Sequence, residues 1–181
     1  MIRFATSLTD TLDRAASAVM PTLARLLFLG VLFFYFWGSA MTKLGEGVSG
    51  LWTLSFGAYA QIFPKPFEAL GYDASALPAA YKLIALAGTW SEIALPVLIV
   101  IGLFTRLAAL GLTGFVLVQS WVDIYGHNLA KADIGAWFDN TATALIFDQR
   151  AFWIFVFLYL VMRGAGPVSL DARLFARAPY S

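Results

Sequence analysis

LIALAGTWSEIALPVLIVIGLF, residues 83–104, is long and apolar enough to cross a bilayer, and it carries one acid, Glu92, near its middle. About 20 predominantly apolar residues span the hydrocarbon core. A carboxylate at that depth costs roughly 2.5–3.5 kcal/mol on insertion scales, so it faces a partner, a cavity or a pathway. Pro96 follows one turn later. It lacks an amide hydrogen and crowds the carbonyl of Glu92, which predicts a kink and a polar notch at that level. Ala85, Gly88, Thr89, Leu95 and Ile99 share the face of Glu92. The small ones among them predict close approach of another helix.

The surrounding composition agrees with a membrane setting. The chain has 181 residues, 60% hydrophobic and 13% charged, with mean hydropathy +0.76. Soluble domains run nearer about 45–50% apolar and about 25% charged. The formal net charge is +1, which gives no pull toward nucleic acid. With no cysteine and one histidine, the chain by itself supplies no disulfide, no iron–sulfur ligand set, no covalent haem attachment and no bis-histidine haem. One histidine among scattered acids is a poor metal-ligand set, so no metal site is expected. The first twenty residues carry Arg3, Asp10, Asp13 and Arg14 and lack the continuous apolar core of a cleaved signal peptide.

Working outward, the pattern predicts an all-α membrane protein, a four-helix bundle in one domain over 1–181. Ser7 to Asp10 reads as a capping box, followed by an interfacial helix over 1–20. Pro21 suits the first turn of a span over about 22–42, bracketed by Arg25 and Lys43, which snorkelling accounts for. Further spans are expected at about 83–104, 107–124 and 148–163, with a tight turn at Phe104 to Arg106 joining the second to the third. Gly111, Thr113, Gly114, Gln119 and Ser120 give that third span a small and polar set. The fourth has only twelve apolar residues, Ala151 to Met162, so it is either short or extends upstream with Asp148, Gln149 and Arg150 buried. Two large loops, 44–81 and 123–150, hold helical and aromatic patterning and read as an ordered outer lid and the surface for a membrane or periplasmic protein partner. Pro64 and Pro66 end the helix within the first, and Gly164, Gly166 and Pro167 end the last span. Ser169 then caps a short helix in a tail over 164–181, with Arg173 and Arg177 at the headgroups. Arg3, Arg14, Arg25, Arg106, Arg163, Arg173 and Arg177 fall on one side, against Lys43, Lys65, Lys82, Lys131 and Arg150 on the other. The positive-inside rule then places both termini in the cytoplasm of a multi-pass bacterial inner-membrane protein.

Three stretches together resemble the DoxX family of small four-helix membrane proteins. They are Arg25-Leu-Leu-Phe-Leu-Gly30 through Gly38 to Lys43-Leu44; Glu92, Leu95-Pro96 and Gly102-Leu-Phe-Thr-Arg106; and Gly164-Ala-Gly-Pro-Val-Ser169-Leu-Asp171. The resemblance implies a link to quinol oxidation. The family takes its name from a subunit associated with a terminal quinol oxidase, and relatives include a membrane subunit of thiosulfate:quinone oxidoreductase.

Glu92 is thus the candidate catalytic residue, with Arg25, Lys43, Arg106, His127 and Asp123 as ligand-binding or ion-pair candidates. His127 stands four residues after Asp123, a spacing for an ion pair or a proton-shuttle pair on one helix face. Three roles stay open for Glu92: a lock between helices with Arg25, Lys43 or Arg106 as counter-ion, a proton-exchanging group at a quinone headgroup, or part of a proton or small-molecule path. The corresponding functions are a subunit of a quinone-linked redox system without its own metal, a non-catalytic membrane scaffold, and a transporter.

Overall fold

In hydrocarbon each backbone amide must find its partner within its own segment, so apolar runs of this length coil into helices. The computed structural model describes residues 2–175. Within them run α1 (Ile2–Phe28), α2 (Phe34–Lys43), α3 (Phe56–Ile62), α4 (Pro64–Ala69), α5 (Ala79–Ile101), α6 (Thr105–Trp121), α7 (Lys131–Ile134), α8 (Ala151–Arg163) and α9 (Leu170–Leu174). Short π-helical segments at Leu29–Phe33, Val122–Gly126 and Leu145–Arg150 extend or join them. Four continuous helical rods are long and apolar enough to cross a membrane: Thr9–Lys43, Ala79–Ile101, Thr105–Gly126 and Leu145–Arg163. Only 22–28% of the apolar window of each is buried within the molecule, so most of that apolar surface is left for lipid.

The bundle core is narrow. Phe28, Leu32 and Phe36 of the first rod meet Ile99 of α5, Leu112 and Val116 of α6, and Phe157 and Leu160 of α8. The aromatic run at Phe33 to Trp37 divides accordingly: Phe36 is fully buried, while Phe34 is exposed to the lipid side. A second, smaller core lies under the lid, where Tyr59 and Phe67 meet Leu77 and Ala85. Pro64 ends α3 and also starts α4, since a missing amide hydrogen costs nothing in the first turn of a helix. In the turn beyond, the Ser75 hydroxyl and amide hydrogen-bond the Asp73 carboxylate and hold it below its ordinary pKa range.

Several boundaries differ from the sequence reading. No separate helix precedes the first span among the described residues: α1 passes through Pro21 unbroken into it, and the buried ring packs beside Gly166. The helix already includes Ser7, so Ser7 does not begin it; its side chain, like Arg177, lies outside the described residues. The second span starts at Ala79, its first turn held by the lid, and ends at Ile101 without a break at Pro96. The turn to α6 is therefore 102–104, and Arg106 stands in the first turn of α6. The fourth rod extends upstream to Leu145.

The 164–175 segment is not a free tail. Side chains on a helix lean toward its N-terminus, so Arg25, near the start of the span, leans out of the bundle. There it meets the last carbonyls of antiparallel α5, which have no partners within their own helix. Arg25 Nε donates to Ile99 O at 2.8 Å and Nη2 to Val100 O, while Nη1 donates to Ala165 O at 3.1 Å and Val168 O at 2.6 Å. Asp171 completes the knot, accepting from the amides of Phe104 (2.7 Å) and Thr105 (3.0 Å), which begin α6. Gly102 sits at the centre with φ +70°, and a Cβ there would lie 2.8 Å from the guanidinium carbon, so both its backbone and the space demand glycine. Ser169 caps α9 by accepting from the Ala172 amide.

Arg25→Lys keeps the charge but loses the fork that reaches two elements at once. It is expected to lower the thermal midpoint in detergent and to open 164–175 to protease. Asp171→Ala, which frees two amides, is expected to cost about 0.5–2 kcal/mol. Exposed Arg173→Gln is expected to change neither readout; equal behaviour of all three would exclude the knot as the source of stability.

Candidate functional site

The same lean that sends Arg25 outward turns Lys43 inward. Lys43 ends its span, so its side chain leans back along the helix, and Glu92 on antiparallel α5 leans to meet it. Lys43 Nζ donates to Glu92 Oε1 at 3.0 Å and Oε2 at 2.9 Å, with the two side chains 7% and 3% exposed. Ser39, one turn before Lys43, closes a triad: its hydroxyl accepts from Lys43 at 2.6 Å and donates to Glu92 Oε1 at 3.1 Å. Lys43 is therefore no snorkelling anchor. Glu92 lies nine residues from Ile101, about 14 Å of helix rise, and so sits at bilayer depth.

The triad forms one wall of a cleft of about 580 Å³ among α2, α5, α6 and the lid. Gly88, Leu95, Gly111, Gly114, Phe115 and Val118 make its sides, and Ile62 with Gln61 its roof. Of the small residues of α5 and α6, Ala85 and Thr89 are fully buried as expected, whereas Gly88 and Gly114 act in the opposite sense. A Cβ on Gly88 or Gly114 would meet nothing within 4 Å, so these glycines leave a space where a second helix was expected to close in. Gln119 stands in the same wall. Its amide nitrogen donates to the Tyr35 hydroxyl at 2.9 Å, and its buried oxygen has no partner. Whichever way the amide is turned, one of its polar atoms is left over in the wall.

Asp123 and His127 line the cleft toward the lid. Asp123 lies nine residues beyond Gly114, about 13 Å along the rod. The two do not bond to each other, because the π-helical segment Val122–Gly126 breaks the regular four-residue stacking. His127 Nε2 instead pairs with Gln61 O of the lid at 2.9 Å, and Asp123 Oδ2 accepts from Arg150 Nη2 at 2.6 Å.

Arg150, which the sequence reading buried only as one of two alternatives for the fourth span, was not read there as a site residue. It is 2% exposed, and its Nη1 donates to the Ser120 hydroxyl at 3.0 Å. A signal was present: twelve apolar residues rise only about 18 Å, so the fourth span had to extend upstream and carry Arg150 inside with it. An acid at matching depth on a neighbouring rod, Asp123, then follows. Arg25 and Arg106 are remote from Glu92. Arg106 leans out of the start of α6, and its Nη1 donates to Val161 O and Met162 O at the end of α8, both at 2.9 Å. Of the three bases considered for Glu92, the structure brings only Lys43 to it.

The DoxX family model matches residues 20–123, more than half of the chain, and the chain belongs to the DoxX family. The matched region takes in most of the first three rods and ends at Asp123, so it contains the Lys43–Glu92 pair and the cleft lining except His127, but not Gly164 to Asp171. No curated protein and no solved structure matches the chain.

Removing one member of a buried ion pair leaves the other uncompensated and costs about 3–5 kcal/mol, whereas replacing both with apolar residues is close to neutral. Glu92→Gln is therefore expected to lower the unfolding midpoint in detergent markedly, and Lys43→Met combined with Glu92→Leu to recover most of it. An unchanged midpoint in Glu92→Gln would show that the pair contributes nothing to the bundle.

Proposed function

We propose that this DoxX-family membrane protein is a subunit of a quinone-linked redox system. In this reading the cleft among α2, α5 and α6 takes the head of a quinone or quinol, and the chain carries no redox metal of its own. The observation that carries the reading is the cleft itself: an apolar slot at bilayer depth, reachable from lipid, with a few convergent polar groups. A flat ring would lie between Leu95, Phe115 and Val118, and the unpartnered Gln119 amide oxygen would accept from a quinol hydroxyl. When bound, such a group takes up or releases electrons together with protons. The chain's own part is to hold the ring, exclude water and place polar groups. Asp123 and His127 stand between the slot and the lid, where a proton can pass toward the lid end. Glu92, already held by Lys43 and Ser39, orients and balances charge at the deep wall.

We place the protein in a bacterial inner membrane with both termini cytoplasmic. Two of the basic residues counted on the lid side, Lys43 and Arg150, are buried in ion pairs. That leaves Lys65, Lys82 and Lys131 there, against Arg3, Arg14, Arg106, Arg163 and Arg173 at the other end among the described residues. The positive-inside bias is then larger than the raw count suggests. The loops 44–81 and 123–150, with Trp52 and Phe138 projecting from them, offer the surface for a membrane or periplasmic redox partner.

One observation favours a second reading, a non-catalytic scaffold. The Lys43–Glu92–Ser39 triad is internally satisfied and locks two rods with no ligand at all.

Gly88→Leu and Gly114→Leu separate the two readings, because a Cβ at either position meets nothing within 4 Å and the added side chain grows into the slot. With purified protein in nanodiscs, a quinone analogue is expected to bind the parent chain and to bind either variant at least about tenfold more weakly, with unfolding midpoints unchanged or raised. The absence of any extractable quinone, together with no binding of added analogue, would leave the scaffold reading standing.

A further inference from the structure

A separate cavity, of about 480 Å³, opens at the opposite end of the bundle from the lid, between the start of α6 and the end of α8. Arg106 is fixed there by the two carbonyls its Nη1 holds, Val161 O and Met162 O. Its other edge, Nε with Nη2, has no acceptor among the described residues. Gly164 faces that edge: a Cβ at this position would lie 3.3 Å from Nε and 3.6 Å from Nη2, and its φ of +77° keeps a side chain away. The fork is thus held rigid on one side and left bare on the other.

The rest of the cavity has matching chemistry. Arg163, on the last turn of α8, is exposed and also has no partner among the described residues. The Thr105 hydroxyl, in the cavity wall, is buried and unpartnered. Asp171 is the acid lining the cavity, but both its oxygens are already engaged by the Phe104 and Thr105 amides. Around the mouth stand exposed apolar side chains, Phe104, Leu107 and Phe175, the two rings 5.7 Å apart. An arginine edge with two parallel N–H donors matches two oxygens of a phosphate. A second arginine adds charge, and an apolar rim at the end of two membrane rods suits an acyl chain entering from the bilayer.

We propose that this cavity holds the phosphate of an acidic phospholipid, gripped by the Nε–Nη2 edge of Arg106 and by Arg163, with its chains running down past Leu107. The lipid then fastens α6 to α8 at the end where Arg106 already joins them, independently of whatever occupies the cleft near Glu92.

The full chain in detergent, titrated with phosphatidylglycerol or phosphatidylcholine and read by native mass spectrometry, tests this. Phosphatidylglycerol is expected to bind about fivefold or more tightly than phosphatidylcholine, since each arginine near an anionic lipid is worth about that factor. Arg163→Gln should weaken phosphatidylglycerol by a similar factor. Arg106→Lys, which keeps a charge and a donor for the α8 carbonyls but loses the fork, should do the same. Arg14→Gln, an exposed arginine on α1 away from the cavity, should match the parent. Equal binding of the two lipids, or undiminished phosphatidylglycerol binding in both cavity variants, overturns the proposal. Displacement of the lipid by millimolar inorganic phosphate overturns the lipid assignment in favour of a free-anion site.

Discussion

The bundle depends on a single constraint: the last carbonyls of a helix have no partners in their own helix, and lipid offers none. Two of the rods end under a guanidinium from an antiparallel neighbour. Arg25 of α1 covers Ile99 and Val100 of α5, and Arg106 of α6 covers Val161 and Met162 of α8. Both arginines stand at the beginning of a span, where the lean of a helical side chain carries it outward onto the ending of a helix that runs the other way. A positive group at a helix C-terminus is also favourable in charge, because the helix dipole leaves that end negative. Arg25 has enough donors left over to fold Ala165 and Val168 back onto the same place. The closing glycine-rich segment is therefore a strap over the ends of three helices.

Run in reverse, the same geometry puts the charges of the interior together. A basic residue at the end of a span leans back into the membrane, and an acid on the antiparallel neighbour leans toward it. Lys43 and Glu92 satisfy that condition, and each removes the cost the other would carry alone. Arg150 and Asp123 form a second pair at the lid end with the roles exchanged, the base near the start of its rod and the acid near the end of its own, and with Asp123 on the cleft side. Both pairs leave the bundle neutral at depth. Lys43 and Glu92 both line the slot, and of the second pair Asp123 does, so the slot is lined by charges that are already paired. Such a wall can orient a polar ring without having to strip an isolated ion of its solvent.

How much of this was legible in the sequence follows from which distances matter. The rods and their number are set by local composition, and they could be read directly; so could the need of Glu92 for a partner. Which base meets Glu92 depends on the register between two rods whose paired residues stand 49 positions apart, and Lys43, at the edge of its run, looked like an anchor. The Asp123–His127 spacing misled because it assumes a regular helix, and the chain is π-helical there. Gly88 and Gly114 misled for a different reason. A glycine face permits close packing but does not compel it, and here α5 and α6 part locally, with Gly88 and Gly114 facing open space while Gly111 still meets Leu95.

That spreading gives the cleft its meaning. At one contact of α5 with α6, the position a Cβ on Gly111 would take lies 3.1 Å from the Leu95 side chain, and the slot opens beside this contact toward the lid. The lid has its own core, Tyr59 and Phe67 over Ala85, and it touches the slot through Gln61, whose carbonyl is held by His127. The roof is thus tied to the wall at a histidine, while the floor is tied by Lys43 and Glu92. A scaffold would need the floor tie alone. A slot kept open by glycines, roofed by a separately packed lid and latched by the chain's one histidine, has more structure than holding two helices together requires. That excess is the physical reason for placing a ligand in it.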